Sequence, residues 1–197
     1  HRYVFTDAST AFFPAAQQKL AAYPEVEYKV FDLDRDAEAQ GLFAGNFDFI
    51  VGTNVLHAAA DLRACLGQLH NLLAPGGTLA FMDVAAPRIW TESVFGVTSG
   101  WWNLTDRDLR PDHPLLPRLK WEQLLLETGF VETCSLPGLL SRNGEEGQVA
   151  LLARKATAAR TPIEEASEAD QGPWVVFADE GGAGEALAAR LRAAGAQ

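Results

Sequence analysis

The sequence predicts an α/β fold built on an open, mostly parallel sheet with helices on both faces. Three observations carry this expectation. Short runs of β-branched and aromatic residues alternate with stretches of helical spacing from Tyr3 to Val84. The runs that close near Asp7, Asp32 and Thr53 all leave the apolar pattern on polar or acidic residues, and ligands in open α/β sheets sit outside the carboxyl ends of the strands. A hydrophobic share of 48% with 21% charged residues is that of a chain that builds a core.

Taken in order, Tyr3-Val4-Phe5-Thr6-Asp7 is a strand that ends on an acid. Ser9 or Thr10 caps a helix that runs to about Ala22, ahead of Pro24. Val26 to Phe31 is a second strand, followed by Asp32 and Asp34, and a short helix is expected over Ala37 to Phe43. Phe47 to Thr53 is a third strand. It gives way at Thr53-Asn54 and delivers His57 before a helix over Asp61 to Leu73, whose Leu62, Leu66, Leu69 and Leu73 recur at helical spacing. Ala74-Pro75-Gly76-Gly77 reads as a turn into a fourth strand, Thr78 to Val84.

Residues 85–117 break the rhythm with Pro87, Pro111, Pro114 and Pro117 beside Trp90, Phe95, Trp101 and Trp102. Such a segment is too aromatic for a linker and reads as a structured cover over one end of the sheet. Leu119 to Thr128 is helical, with Gly129 as its stop. Phe130 to Leu136 and Gln148 to Arg154 are strands around a polar turn at Asn143-Gly144, and place an antiparallel edge on the sheet. Composition then shifts, so that 156–172 reads as a linker. Trp174 to Ala178, a glycine turn and Glu185 to Ala194 form the strand, turn and helix of a second α/β unit. The expected organisation is a domain over 1–155, the linker, and the beginning of another subdomain over 173–197.

Charge and cysteine usage exclude several classes. The net charge is −10 and there is no basic stripe to neutralise phosphates, so nucleic acid is not an expected partner. No apolar run approaches the ~20 residues of a membrane span, and the first residues read as a strand rather than a signal peptide. A cytoplasmic protein is expected. Cys65 and Cys134 are the only cysteines and read as buried free thiols. Opening directly in a core strand, without a starting methionine, implies a piece of something longer.

His57 is the residue with the clearest chemical promise. Histidine titrates near neutrality and suits a general base at a strand end. From the residues alone, a histidine that caps the following helix or fills the strand end is the better-supported role.

Several motifs together, in this order and spacing, resemble the carbon-methyltransferase domains of modular polyketide synthases. They are Tyr3 to Ser9, Phe31-Asp32-Leu33-Asp34, Asn54-Val55-Leu56-His57-Ala58, Leu72-Leu73-Ala74-Pro75-Gly76-Gly77, Phe95-Gly96, Gly100-Trp101-Trp102, and Trp121 with Gly129-Phe130. The resemblance covers about residues 1–155, and Gly100-Trp101-Trp102 is its most distinctive element. Residues 174–191 resemble the opening of the ketoreductase region that follows in such synthases.

The resemblance implies an incomplete class I (Rossmann-like) S-adenosylmethionine-dependent methyltransferase fold, with the start of a second α/β unit. It implies methyl transfer from S-adenosylmethionine to the α-carbon of a β-ketoacyl intermediate tethered to an acyl carrier protein, among neighbouring synthase domains. His57 matches the family's catalytic histidine. The glutamate that orients it is replaced here by Asp83, one methylene shorter, which leaves a weakened dyad or a compensating backbone. Cofactor contacts are implied at Asp7, for the ribose hydroxyls, at Asp32 and Leu33, for the adenine edge, and at Asn54. Asp7 also suits a helix N-cap, and Asp32 a solvated loop. Trp101 and Trp102 suit either a pocket wall or the core of a packed lid.

The glycine-rich loop that holds the methionine end of the cofactor in class I enzymes is not found ahead of Tyr3. Gly181-Gly182-Ala183-Gly184 lies far downstream in the wrong element. The central strand of the sheet is missing with the loop, which predicts exposed apolar strand edges. Two other readings stay open: an inactive structural remnant within the synthase, and an O-methyltransferase acting on a β-hydroxyl.

Overall fold

The computed structural model describes residues 2–136 and 147–157, together with Ala189. The chain divides into two compact units, His1–Ala158 and Ala159–Gln197. The turn at Asn143-Gly144 and, apart from Ala156, Thr157 and Ala189, the expected linker and second subdomain lie outside the described residues.

Among the described residues, six strands form two sheets. Strand β1 (Tyr3–Asp7) pairs in parallel with β2 (Val26–Val30). Strands β3 (Phe47–Thr53), β4 (Leu73–Val84), β5 (Phe130–Ser135) and β6 (Gln148–Lys155) form the second sheet in the order β3-β4-β6-β5. β3 and β4 are parallel, while β6 runs antiparallel to both neighbours. The sheet is therefore mixed, and the expected antiparallel edge is present.

β1 and β3 do not pair with each other. The sequence predicts exposed apolar strand edges, and two apolar residues of β3 are open: Phe49 is 70% exposed and Val51 75%. Such bare apolar edges are rare in finished sheets because they invite pairing with another chain.

Four α-helices between Phe13 and Glu127 accompany the strands. Helix α1 (Phe13–Lys19) is shorter than predicted. Ser9 does cap, accepting a bond from the Ala11 amide, but what it caps is a 3-10 turn over Thr10–Phe12 ahead of Pro14. The helix expected over Ala37 to Phe43 is a single 3-10 turn, Glu38–Gln40, ended by Gly41 at φ +77°. Here tertiary contacts override local propensity: the Gln40 side chain bonds the backbone of Asp32, Arg35 and Asp36 and holds the segment as a loop.

Helix α2 (Leu62–Leu72) is the main packing helix, N-capped by Asp61, whose carboxylate accepts from the Ala64 amide. Leu62, Cys65, Leu66, Leu69 and Leu72 form one buried stripe at helical spacing. Each such leucine stabilises the fold by roughly 1.5–3 kcal/mol through burial. Leu73, expected to close the helix, instead opens β4 opposite Phe47. The predicted turn at 74–77 survives as an irregularity inside β4, where Phe47 pairs with Leu73 but Phe49 pairs with Thr78. Gly76 sits at φ +80°, and a Cβ on Gly77 would lie 2.9 Å from the Ala74 carbonyl oxygen.

Helix α4 (Arg118–Glu127) packs on the sheet through Trp121, whose ring meets Phe81 of β4 edge-on at 5.1 Å. Gly129, at φ +100°, ends it as predicted. The cover segment contains helix α3 (Ile89–Val94) and a 3-10 turn, Ser99–Trp102. Cys65 is buried, but Cys134 is exposed, against expectation, because β5 is the edge strand and Cys134 points away from the core.

Candidate active site

Two parallel neighbouring strands bring the site together. Thr53, the last residue of β3, pairs with Met82 of β4, and the Asn54 amide still bonds the Met82 carbonyl at 2.7 Å. Asn54 then takes φ +52°, a left-handed conformation that asparagine tolerates better than most residues. The chain turns sharply there and enters the 3-10 turn Leu56–Ala58, which carries His57. Asp83 stands one residue beyond Met82, so both side chains meet at the carboxyl end of the sheet.

His57 Nδ1 and Asp83 Oδ1 are 2.5 Å apart. The His57 amide donates to Asp83 Oδ2 at 3.0 Å, and the Val84 amide donates to Oδ1 at 2.8 Å. Asp83 is fully buried, and these three donors offset the desolvation of its carboxylate. A carboxylate is acceptor only, so Nδ1 carries the proton and Nε2 of the neutral ring keeps its lone pair. Nε2 has no partner among the described residues, and the side chain stays 11% exposed. The shorter aspartate therefore reaches the ring. One carboxylate binds both the ring and the amide of the same histidine.

The aromatic cover stands over this pair. Trp101 is buried, edge-on to the His57 ring at 5.3 Å, and stacked on Phe95 at 5.4 Å. Trp102 stays more open and donates from Nε1 to the Gly96 carbonyl. Trp101 thus stands beside the histidine and joins Val84 and Leu115 in a small core, the packed-lid role expected of it. His113 backs both tryptophans and bonds Glu92 of α3 at 2.9 Å. A groove of about 700 Å³ runs along Pro87, Arg88, Ile89, Trp90, Ser93 and Val94, and neither His57 nor Asp83 lines it.

The residues expected to touch the cofactor occupy the ends of three strands. Asp7 closes β1, and its Oδ1 accepts from the Ser9 amide at 2.8 Å. Asp32 follows β2 and accepts from the Asp34 amide at 3.0 Å. Each carboxylate keeps its second oxygen without a partner among the described residues. Leu33 packs against the main core, and Asn54 is exposed, 3.5 Å from Gln148. The Asp34 carboxylate accepts from the Ala60 amide at 2.7 Å, which ties the end of β2 to the turn after β3. The free Asp7 oxygen can accept from the hydroxyls of a ribose.

Sequence reasoning missed the pair Asp106 and Arg110. Both are buried, and Arg110 donates to the carbonyls of His57, Ala59 and Ala60. The only sequence signal was an acid and a base four apart within the cover segment.

Comparison with known proteins now bears on this geometry. Residues 1–79 match the family described as a methyltransferase domain. The CurJ carbon methyltransferase superposes with a TM-score of 0.73 at 36% identity, over 79% of this chain and 42% of that one. The fold is the class I, S-adenosylmethionine-dependent methyltransferase fold. The trans-methyltransferase CalH, solved with S-adenosylhomocysteine, is 32% identical, with a TM-score of 0.69 over 79% of this chain and 43% of that one. Highly reducing polyketide synthase 40 of Fusarium pseudograminearum is 35% identical over 164 residues, or 83% of this chain and 6% of the synthase. The chain thus spans about 6% of the length of that curated relative. Residues of this methyltransferase fold are homologous to polyketide synthase methyltransferase domains. Among the described residues, no helix is long and apolar enough to cross a membrane.

Proposed function

We propose that the chain is part of a polyketide synthase carbon-methyltransferase domain that methylates the α-carbon of a β-ketoacyl thioester on an acyl carrier protein. The observation that carries this reading is the buried His57–Asp83 pair at the carboxyl ends of β3 and β4. An α-carbon between a ketone and a thioester is acidic enough for an imidazole to deprotonate. His57 Nε2 takes that proton, while Asp83 holds Nδ1–H and the ring orientation. The C–H electron pair becomes the nucleophile, a C–C bond forms, and the proton stays on His57 until it passes to water. S-adenosylmethionine, when bound, would supply the methyl group: its sulfur–methyl bond would break as the C–C bond forms, and the neutral thioether S-adenosylhomocysteine would be the leaving group.

Asp7 takes the ribose hydroxyls in this reading, Asp32 and Leu33 the adenine edge, and Asn54 borders the methyl end. The exposed Phe49 and Val51 mark where the central strand and its glycine-rich loop complete the cofactor site. Trp101 keeps water from the histidine. Residues 173–197 are read as the start of a ketoreductase region, so neighbouring synthase domains are the expected company.

The reach of Asp83 removes the shortened dyad as an argument for an inactive remnant. Methyl-labelled S-adenosylmethionine offered to the parent synthase with β-ketoacyl and β-hydroxyacyl carrier proteins tests the proposal. Label is expected on the α-carbon of the keto substrate. Label on the hydroxyl oxygen instead would assign O-methylation, and no label on either would assign a remnant.

A further inference from the structure

Asp83 fixes the ring of His57 but leaves its backbone turn to be held by something else. Residues 57–61 lie between β3 and α2, where neither sheet nor helix supplies partners for every carbonyl, and buried carbonyls need partners. Arg110 supplies them. Its NH1 donates to the His57 carbonyl at 2.9 Å and to Pro114 at 3.3 Å, and its NH2 donates to Ala59 at 2.7 Å and Ala60 at 3.1 Å. Nε and NH2 meet Asp106 at 2.9 Å. The other Asp106 oxygen accepts from the Leu62 amide, at the start of α2, at 3.0 Å. The Thr105 amide adds a bond to the Ala60 carbonyl at 2.9 Å.

We propose that Arg110, held by Asp106, is a positioning residue that sets the aim of His57; this rests on the reading of His57 as the base. The two side chains are 0% and 1% exposed. A buried ion pair contributes little net stability over a packed apolar pair, so its value here is geometric. One planar guanidinium reaches the carbonyls of His57, Ala59 and Ala60 and the Asp106 carboxylate at once, which a lysine ammonium cannot do. Because the turn from His57 to Leu62 is bonded at both ends, the imidazole meets Asp83 from one direction only. The pair also couples the aromatic cover to the base, since Asp106 and Arg110 belong to that segment.

The test compares Arg110→Lys and Asp106→Asn with wild type in the full-length parent synthase. The expected result is a fall in kcat of about ten- to hundredfold, in line with the sensitivity of catalysis to displacements near 1 Å, and a shifted acid limb in the pH profile of kcat. S-adenosylmethionine affinity is expected to stay within about twofold. A folded Arg110→Lys protein with wild-type kcat and pH profile overturns the proposal, and so does a loss of activity that only tracks the folded fraction.

Hydrogen exchange of the 197-residue chain provides a readout without activity. The peptide around residues 55–64 is expected to be as protected as α2 in wild type and to exchange faster in Arg110→Lys. Exchange of that peptide at an open-loop rate in wild type overturns the proposal even if neither variant folds. A parent without methyl transfer would sink the proposed function, while hydrogen exchange would still decide the strap.

Discussion

His57 and Asp83 stand 26 residues apart in the chain, yet one carboxylate binds both the ring and the amide of the same histidine, at 2.5 and 3.0 Å. Two bonds to one residue define its rotamer as well as its tautomer. An amide at position 83 offers one acceptor oxygen in place of two, and an NH2 that cannot accept from Nδ1. In the parent domain, Asp83→Asn is expected to lower kcat by about 10²–10⁴-fold, the range for a misassigned histidine tautomer or a lost general base. Cofactor affinity measured by calorimetry should be little changed.

Asp83→Glu would install the family's residue in a site closed around aspartate. The side chain is fully buried, and an added methylene must push the ring or the backbone. Overpacking of this kind costs about 1–3 kcal/mol, so a lower denaturation midpoint and reduced transfer are expected. Equal stability and activity would show that the strand ends shift freely.

Leu66 is fully buried in the stripe of α2. Leu66→Ala is expected to destabilise the chain by about 2–5 kcal/mol, from lost burial plus a cavity, read as a fall in urea midpoint. Leu119→Ala, on the exposed side of α4, should change it far less.

The two thiols should separate cleanly. Burial, chiefly, pushes the Cys65 thiol up to about 12, whereas Cys134 is exposed. A thiol reagent at pH 8 is expected to modify Cys134 in the native state and Cys65 only after unfolding. Fast reaction of Cys65 in native protein would contradict the packing of α2.

His70 links stability to acid. Desolvation, with a smaller push from Lys155, lowers it below its ordinary value of 6.5, although the Gly129 backbone beside the ring works the other way. The folded state thus favours the neutral ring. Stability contributed by this site is present above the unfolded value and is lost as pH falls through it toward the lowered folded value. Melting temperature is expected to drop between neutral pH and mildly acid pH, and His70→Gln should flatten part of that slope.

Much of the fold was legible because its strands are marked twice, by β-branched runs and by the polar residues that end them. His57 stood out because it follows a strand that leaves its apolar pattern, whereas Asp83 was reached only through the resemblance. The loop at Ala37 to Phe43 was not, because Gln40 reaches Asp32, Arg35 and Asp36 through side-chain bonds that periodicity does not encode. Asp106 and Arg110 were not singled out, because an acid and a base four apart carry no signal of burial. Only the fold shows that the carbonyls after β3 lack other partners and draw that pair inside. Cys134 was misplaced because alternation along β5 does not say which strand is the edge.

The central claim is that His57 removes the α-proton. The most direct measurement is single-turnover methyl transfer to a β-ketoacyl carrier protein by the parent domain, wild type against His57→Ala, with cofactor affinity measured in parallel. The expected result is unchanged affinity with transfer reduced by about 10²–10⁴-fold, the usual contribution of a positioned general base. Transfer at the wild-type rate by the folded His57→Ala protein would contradict the account.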